Sequence, residues 1–230
     1  MTNALPPSQA WTIGSILEQS YQLARDNFAA FITVTLVFSA VGLVADVLSL
    51  GLLAGIVHLA TGAATTICLA WGTLKALGGA PPAWEPMLRQ VQGPRFWQVL
   101  LLGVIVYFAI GLSAILVIPP FILLPLWSVA IPAMMAEKSD IGSAFARSVD
   151  LTRDRRLRIL GVFVAAGLAV LLGGWIVIAL FGFGPIGNLV LAIYGAVAST
   201  FIHPLSAILY THLLAEKHGV MPAQVAAALD

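Results

Sequence analysis

Apolar residues dominate six runs of this chain, and short polar or glycine-containing segments separate the runs. Their approximate bounds are 28–49, 51–74, 96–118, 120–136, 157–180 and 186–211. A helix that crosses a bilayer needs roughly 20 mostly apolar residues, and every run except the fourth has that length. The pattern therefore predicts an all-α integral membrane protein with six transmembrane helices.

The fourth run is shorter than the others and contains Pro120, Pro125 and Pro132. A proline has no backbone N–H, so it leaves one carbonyl of the preceding turn without its helical partner. Inside hydrocarbon such a helix is stable only where neighbours or water satisfy the freed groups. We therefore predict that this span is kinked or partly re-entrant.

Three of the polar segments place apolar residues on one face at helical spacing. These faces are Ile13, Ile16, Leu17 and Tyr21, then Trp84, Met87, Leu88 and Val91, and finally Ile141, Ala144, Phe145, Ser148 and Val149. The spacing is typical of amphipathic helices. Helices of this kind lie in the headgroup plane with the apolar face down, so we predict one ahead of each pair of apolar runs.

The first and last amphipathic segments have related sequences. Residues 13–26 and 141–154 align without a gap and are identical at 7 of 14 positions, and residues 89–104 resemble 147–162 more weakly. Either these stretches share residues by chance, or the chain contains three copies of an amphipathic helix and a hairpin. We predict the second, with approximate threefold pseudosymmetry about an axis along the membrane normal. The repeat units are then about 8–78, 79–136 and 137–219, followed by a short tail, 220–230.

Composition and charge add the topology. With 60% hydrophobic and 9% charged residues, the chain has too little polar surface for a soluble domain, so we expect one membrane domain, 1–230. If both termini lie on the same side of the membrane, all 11 Lys and Arg residues lie on that side as well. Because basic loops resist translocation, we predict a bacterial-type inner-membrane protein with both termini in the cytoplasm. The formal net charge of +1 predicts no binding of nucleic acid.

Ionisable residues inside the apolar runs are candidates for function, because burying them is costly. They are Asp46, His58 and His203. Each also has a simpler interpretation: Asp46 reaches the outer interface, His58 is a neutral hydrogen-bonded residue, and His203 marks a kink before Pro204. A metal ion needs three or four converging ligands, and Cys68 is the only cysteine. We therefore expect no metal site and no cofactor.

Four arginines lead into the fifth run. Their simplest role is to set the orientation of the protein in the membrane. Guanidinium groups also match phosphate geometry, and basic pockets at helix ends bind anionic headgroups. The residues predicted to contact such headgroups are Arg147, Arg153, Arg155, Arg156 and Arg158. We also predict that Glu137 and Arg147 form a structural pair that ties the last amphipathic helix to the end of the fourth run.

Two stretches resemble a known family. They are Trp127-Ser128-Val129-Ala130-Ile131-Pro132 with Glu137, Ala144, Arg147-Ser148 and Leu151-Thr152, and Pro204-Leu205 with Leu209-Tyr210 and Gly219. The pattern is similar to the membrane domain associated with glycerophosphoryl diester phosphodiesterases and to its stand-alone relatives. Where members often have Asp and Arg after the tyrosine, this chain has His212 and Leu214. The resemblance implies an all-helical bundle near phospholipid chemistry, without the separate soluble domain that carries catalysis.

These features predict a non-enzymatic multi-pass protein whose partners are membrane lipids, with anionic headgroups bound at its cytoplasmic rim. A transporter or lipid-moving protein is one alternative, with a pathway between the hairpins near the fourth run and His203. A membrane scaffold that recruits a protein partner is another. The sequence leaves open whether the chain binds a second copy of itself.

Overall fold

The computed structural model describes residues 11–48, 51–113 and 118–229. Every regular element in these ranges is helical, which confirms the predicted all-α fold. The elements are α1 (Ile13–Asp26), α2 (Phe28–Val47), α3 (Leu52–Leu77), α4 (Trp84–Arg89), a 3₁₀ turn (Gln90–Gln92), α5 (Phe96–Ser113), α6 (Ile118–Trp127), α7 (Ala130–Glu137), α8 (Ile141–Thr152), α9 (Arg156–Phe181), α10 (Pro185–Ile202), α11 (Pro204–His218) and α12 (Pro222–Ala227). The predicted turn near residue 50, the end of the third predicted span at 114–117 and the predicted repeat start at 8–10 lie outside the described residues.

Five helical segments of the described chain are long and apolar enough to cross a membrane. Four are single helices, namely α2, α3, α5 and α9, and the fifth is the 33-residue stretch Ile186–His218. At 1.5 Å per residue, the 26 residues of α3 measure about 39 Å, which exceeds the roughly 30 Å of a hydrocarbon core. These lengths and compositions support a multi-pass membrane protein.

Two of the predicted spans are not continuous helices. The fourth run divides into α6 and α7, with Pro125 inside α6 and a break at Ser128–Val129. The run that follows Pro185 divides at His203 into α10 and α11. Pro132 and Pro204 have no N–H for the carbonyl four residues earlier, so each break follows from a proline close behind it. The predicted kinks are present, but α6 and α7 together form one broken apolar stretch rather than a single helix.

The amphipathic helix α1 begins at Thr12, whose side chain accepts a hydrogen bond from Ser15 N while Ser15 bonds back to the Thr12 backbone. Such a capping box satisfies two of the free N–H groups at a helix start. The helix buries Ile16, Ser20, Leu23 and Ala24, positions that repeat at i, i+4, i+7 and i+8. Tyr21, predicted on this face, is 54% exposed because it points to the side of that stripe.

Helix α8 repeats this arrangement. Asp140 caps it by accepting a hydrogen bond from Ser143 N, and the hydrogen bonds from the Ser143 side chain and backbone lower the pKa of the Asp140 carboxyl. The buried positions of α8 are Ala144, Ser148, Leu151 and Thr152. The first, second and third of these have the same spacing as Ile16, Ser20 and Leu23 of α1.

Ser20 and Ser148 make equivalent contacts. Ser20 Oγ donates to the Phe201 carbonyl at 2.6 Å, near the end of α10. Ser148 Oγ donates to the Leu126 carbonyl at 2.7 Å, near the end of α6. Both carbonyls belong to the last turn before a break, where a helix leaves carbonyl groups without intrahelical partners. Each serine therefore stabilises a broken helix that it meets only in the folded state.

The packing of the helices follows a cyclic order. Consecutive long helices pack as α2 on α3, α5 on α6 and α9 on α10, and these pairs meet through α3 with α5, α6 with α9 and α10 with α2. In the centre α3, α7 and α11 contact one another. The largest core cluster includes residues of all three, such as Leu74, Ala133 and Leu209.

A close contact between α3 and α5 allows this packing to be tested by substitution. A Cβ at Gly103 would lie 2.8 Å from the Cβ of Ala63, whereas a Cβ at Gly111 of the same helix meets nothing within 4 Å. We expect Gly103→Leu to destabilise the protein by about 1–3 kcal/mol, the usual cost of overpacking, and Gly111→Leu to have little effect. Thermal melting in detergent measures both, and equal melting temperatures for the two variants would contradict this packing.

Candidate functional site

The four arginines before the fifth run surround a cavity. Arg153, Arg155, Arg156 and Arg158 line a volume of about 350 Å³ together with Asp154 and Leu157. The cavity lies at the start of α9, whose first backbone N–H groups have no intrahelical acceptor and whose dipole presents its positive end there. The side chains and the helix end therefore concentrate positive charge at one place.

Two of the four arginines are held by other parts of the protein. Arg155 Nε donates to Glu216 Oε1 at 3.1 Å, and its Nη2 donates to the same oxygen. This hydrogen bond and the charge of Glu216 raise the pKa of Arg155 above its usual value. Arg158 donates to the Trp11 carbonyl at 3.2 Å and lies 5.4 Å from the centre of the Trp11 ring. Trp11 Nε1 in turn donates to Glu216 Oε2 at 3.3 Å.

The other two arginines have donors to spare. Arg153 is exposed. The Nε atom of Arg156 is buried and, within the described part of the chain, has no hydrogen-bond partner. A buried donor without a partner costs about 1–3 kcal/mol, and more when it is charged. The Arg156 side chain also lines the cavity, and its other guanidinium N–H groups, which make no hydrogen bond within the described residues, can donate to an oxyanion there.

Arg147 lies at a second cavity. Its Nε donates to Glu137 Oε1 at 2.8 Å, as the sequence predicted for a structural pair, and its Nη1 lies 3.0 Å from His218 Nε2. Tyr210, 1% exposed, donates its hydroxyl to the same Glu137 oxygen at 3.0 Å. The cavity beside this cluster has a volume of about 260 Å³ and lies among α7, α8, α11 and α12. The segment predicted as a tail thus contributes α12 to its wall.

The pair Glu137–Arg147 can be tested by charge reversal. We expect Glu137→Arg and Arg147→Glu each to destabilise the protein by about 1 kcal/mol or more, because each leaves two like charges in contact. The double reversal restores part of the loss; the rest remains because Tyr210 can no longer donate to a carboxylate at position 137. Melting temperatures in detergent measure the cycle, and a double variant no more stable than the singles would remove the pair as a stabilising contact.

Asp46 of α2 and His58 of α3 come together, a pairing that was not predicted from the sequence. His58 Nε2 lies 2.9 Å from Asp46 Oδ1, and each side chain is about half exposed. A Cβ on Gly42 would lie 2.8 Å from the His58 ring, so the glycine is what allows the ring to lie against α2. Their separation of 12 residues, on consecutive apolar runs, was the signal available for this pair.

His203 lies at the break between α10 and α11. Its Nδ1 is 3.0 Å from Thr66 Oγ1, and Thr66 Oγ1 is 2.6 Å from the Tyr107 hydroxyl. The three residues connect α3, α5 and the helix break. Sequence analysis identified His203 but neither partner, because Thr66 and Tyr107 are ordinary members of apolar runs.

Removing the Tyr107 hydroxyl tests this connection. Tyr107→Phe retains the ring and breaks the contact with Thr66. Polar contacts between membrane helices contribute on average about 0.6 kcal/mol and at most about 1.7, so we expect a small but measurable fall in the melting temperature. Phe108→Leu, on the exposed side of α5, is the control for changing an aromatic residue there. No difference between Tyr107→Phe and the native protein would show that the hydroxyl contributes nothing.

Metal ligands do not converge in the described residues: no three His, Cys, Asp or Glu side chains are placed to share an ion. Comparisons with known protein families, curated proteins and solved structures find no match for this chain. The resemblance to the membrane domain associated with glycerophosphoryl diester phosphodiesterases therefore stays a prediction. In its described residues the chain is all-helical, with five helical segments long and apolar enough to cross a membrane.

Proposed function

We propose that this chain is a non-enzymatic, multi-pass protein of a bacterial-type inner membrane that binds anionic phospholipid headgroups at its cytoplasmic rim. The observation that carries the proposal is the cavity at the start of α9, lined by four arginines. Arg155 and Arg158 are fixed by Glu216 and Trp11, so they hold the site in shape. Arg153 and Arg156 line the same cavity and their side chains make no hydrogen bond within the described residues, so their guanidinium groups can donate hydrogen bonds to a phosphate.

The placement of basic residues supports the orientation. Lys75 reaches the Ala226 carbonyl of α12, Arg95 the Lys138 carbonyl, and Lys217 the Asp150 carbonyl of α8. These contacts join basic residues from distant parts of the chain at one end of the bundle. By the excess of Lys and Arg in cytoplasmic loops, that end and both termini belong to the cytoplasm.

Packing supports six spans in a threefold arrangement, with α6–α7 and α10–α11 as broken spans. Each amphipathic helix packs on the second span of the preceding unit: α4 on α3, α8 on α6 and α7, and α1 on α10 and α11. The equivalent serines Ser148 and Ser20 donate to carbonyls before the two breaks. This shared contact favours a repeat over chance similarity between the two amphipathic stretches.

Headgroup binding follows from this arrangement by two effects. Guanidinium groups and the free N–H groups of a helix start both favour a phosphate oxyanion. Beyond the cavity, α9 presents apolar side chains such as Leu168, Leu171 and Leu172 to its surroundings, and these suit acyl chains. A lipid can therefore place its headgroup among the arginines while its chains lie along the helix.

Native mass spectrometry in a mild detergent tests the proposal. The protein is equilibrated with phosphatidylglycerol, and the variant Arg153→Gln with Arg156→Gln is compared with Arg25→Gln with Arg89→Gln. Both variants lose two positive charges, but Arg25 and Arg89 lie outside the cavity. We expect the first variant to lose bound phosphatidylglycerol about tenfold or more, because each charged hydrogen bond contributes roughly 1.5–3 kcal/mol.

The control variant should retain the lipid at nearly the native level. Equal loss of bound phosphatidylglycerol from both variants would show that the four arginines only orient the protein in the membrane. A native protein that arrives free of lipid but bound to another protein would favour the scaffold.

A transporter or lipid-moving protein is the second candidate. The contact of Thr66, Tyr107 and His203 favours it, because polar groups at a helix break near mid-span are typical of transport pathways. Transfer of fluorescent lipid between the leaflets of reconstituted vesicles, faster than in protein-free vesicles and slowed by His203→Leu, would support this candidate.

A further inference from the structure

The cavity beside Glu137 and Arg147 has both acidic and basic groups with capacity left over. The contacts of the described residues use one oxygen of Glu137, Oε1, which accepts from Arg147 Nε and Tyr210. Arg147 uses Nε and one N–H of Nη1, and a guanidinium has five N–H donors. Within these contacts, Glu137 Oε2 and at least two N–H groups of Arg147 remain available.

Gln224 adds a donor on the α12 side of the cavity. Its Oε1 accepts a hydrogen bond from Met221 N at 2.8 Å, which leaves the amide NH₂ as its free group. The remaining wall is apolar, with Leu214, Val220 and Val225 among its residues. The cavity thus offers one carboxylate acceptor, several donors and an apolar surface.

These groups favour a ligand that carries both charges. A simple anion meets the carboxylate of Glu137, and a simple cation meets the guanidinium of Arg147, so each gains one attraction and one repulsion. A ligand with an ammonium next to a phosphate satisfies both, since the ammonium donates to Glu137 Oε2 and the phosphate accepts from Arg147 and Gln224. The apolar wall suits the carbon part of an amphiphile.

We propose that this cavity binds a phosphoethanolamine group, as found in a zwitterionic phospholipid headgroup or in the free compound. The site is separate from the arginine cavity at α9 and differs from it in ligand charge. It rests on the proposed cytoplasmic placement of this end of the bundle, but not on anionic lipid binding by Arg153 and Arg156.

Two variants address the cavity, one by removing the charge of Glu137 and one by filling the volume. Glu137→Gln retains a side-chain oxygen for Tyr210 and Arg147 but removes the charge that attracts an ammonium. Ala228→Phe, at an exposed wall position, fills the volume and leaves Glu137 and Arg147 unchanged. Melting temperatures near the native value confirm that each variant is folded.

The measurement is native mass spectrometry of the full chain with equal amounts of phosphatidylethanolamine and phosphatidylcholine. The two headgroups differ in that the choline nitrogen has no N–H to donate. We expect the native protein to retain phosphatidylethanolamine in preference, and both variants to lose that preference with an affinity about tenfold weaker, the equivalent of one charged hydrogen bond. The Arg153→Gln with Arg156→Gln variant should retain it, which separates this site from the anionic one.

Free phosphoethanolamine distinguishes the two sources of the group. A rise in melting temperature with millimolar phosphoethanolamine, absent in Ala228→Phe, would assign the site to the soluble compound as well as to lipid. Lipid preference without that rise would assign it to lipid alone. Equal retention of the two lipids by the native protein, or a preference that survives in Ala228→Phe, would overturn the proposal.

Discussion

The hydrogen bonds of Ser20 and Ser148 to backbone carbonyls are the contacts on which the arrangement of the rim depends. Helix breaks in an apolar environment leave carbonyl groups that water cannot satisfy, and each serine supplies a donor at such a place. These contacts fix α1 on α10 and α8 on α6. Trp11 lies just before the Thr12 cap of α1, and the four arginines follow α8, so the same contacts help to place Trp11 beside Arg158 at the arginine cavity.

Charge at the basic end of the bundle is divided between structure and binding. Glu216 and Trp11 use Arg155 and Arg158 to hold the start of α9 against α11 and α1. That leaves Arg153 and Arg156 for an external oxyanion in the proposed function. A cluster of like charges would repel itself without such a partner, and Glu216, Asp154 and Trp11 lower this cost without neutralising the four arginines.

The proposed threefold arrangement gives the two cavities a common origin. In each repeat unit the amphipathic helix packs on the second span of the preceding unit. Along the chain it leads into the first span of its own unit. Where α8 makes this connection, Arg147 on its exposed side meets α7 and α11, and its end leads into the arginines of α9. One helix therefore contributes to a neutral ion-pair cavity and to a strongly positive one.

The sequence by itself determined the helical class, the apolar runs, the amphipathic segments and the presence of kinks in the fourth run and before Pro204. All of these depend on local chemistry: hydropathy over about 20 residues, helical spacing, and the missing N–H of proline. Only the tertiary structure decided which side chains meet. The pairing of Asp46 with His58, the contact of Thr66 with Tyr107 and His203, and the different roles of the four arginines depend on which helices become neighbours. Hydropathy cannot specify which helices become neighbours, because an apolar residue raises the hydropathy of a span equally whether it faces lipid or the protein core.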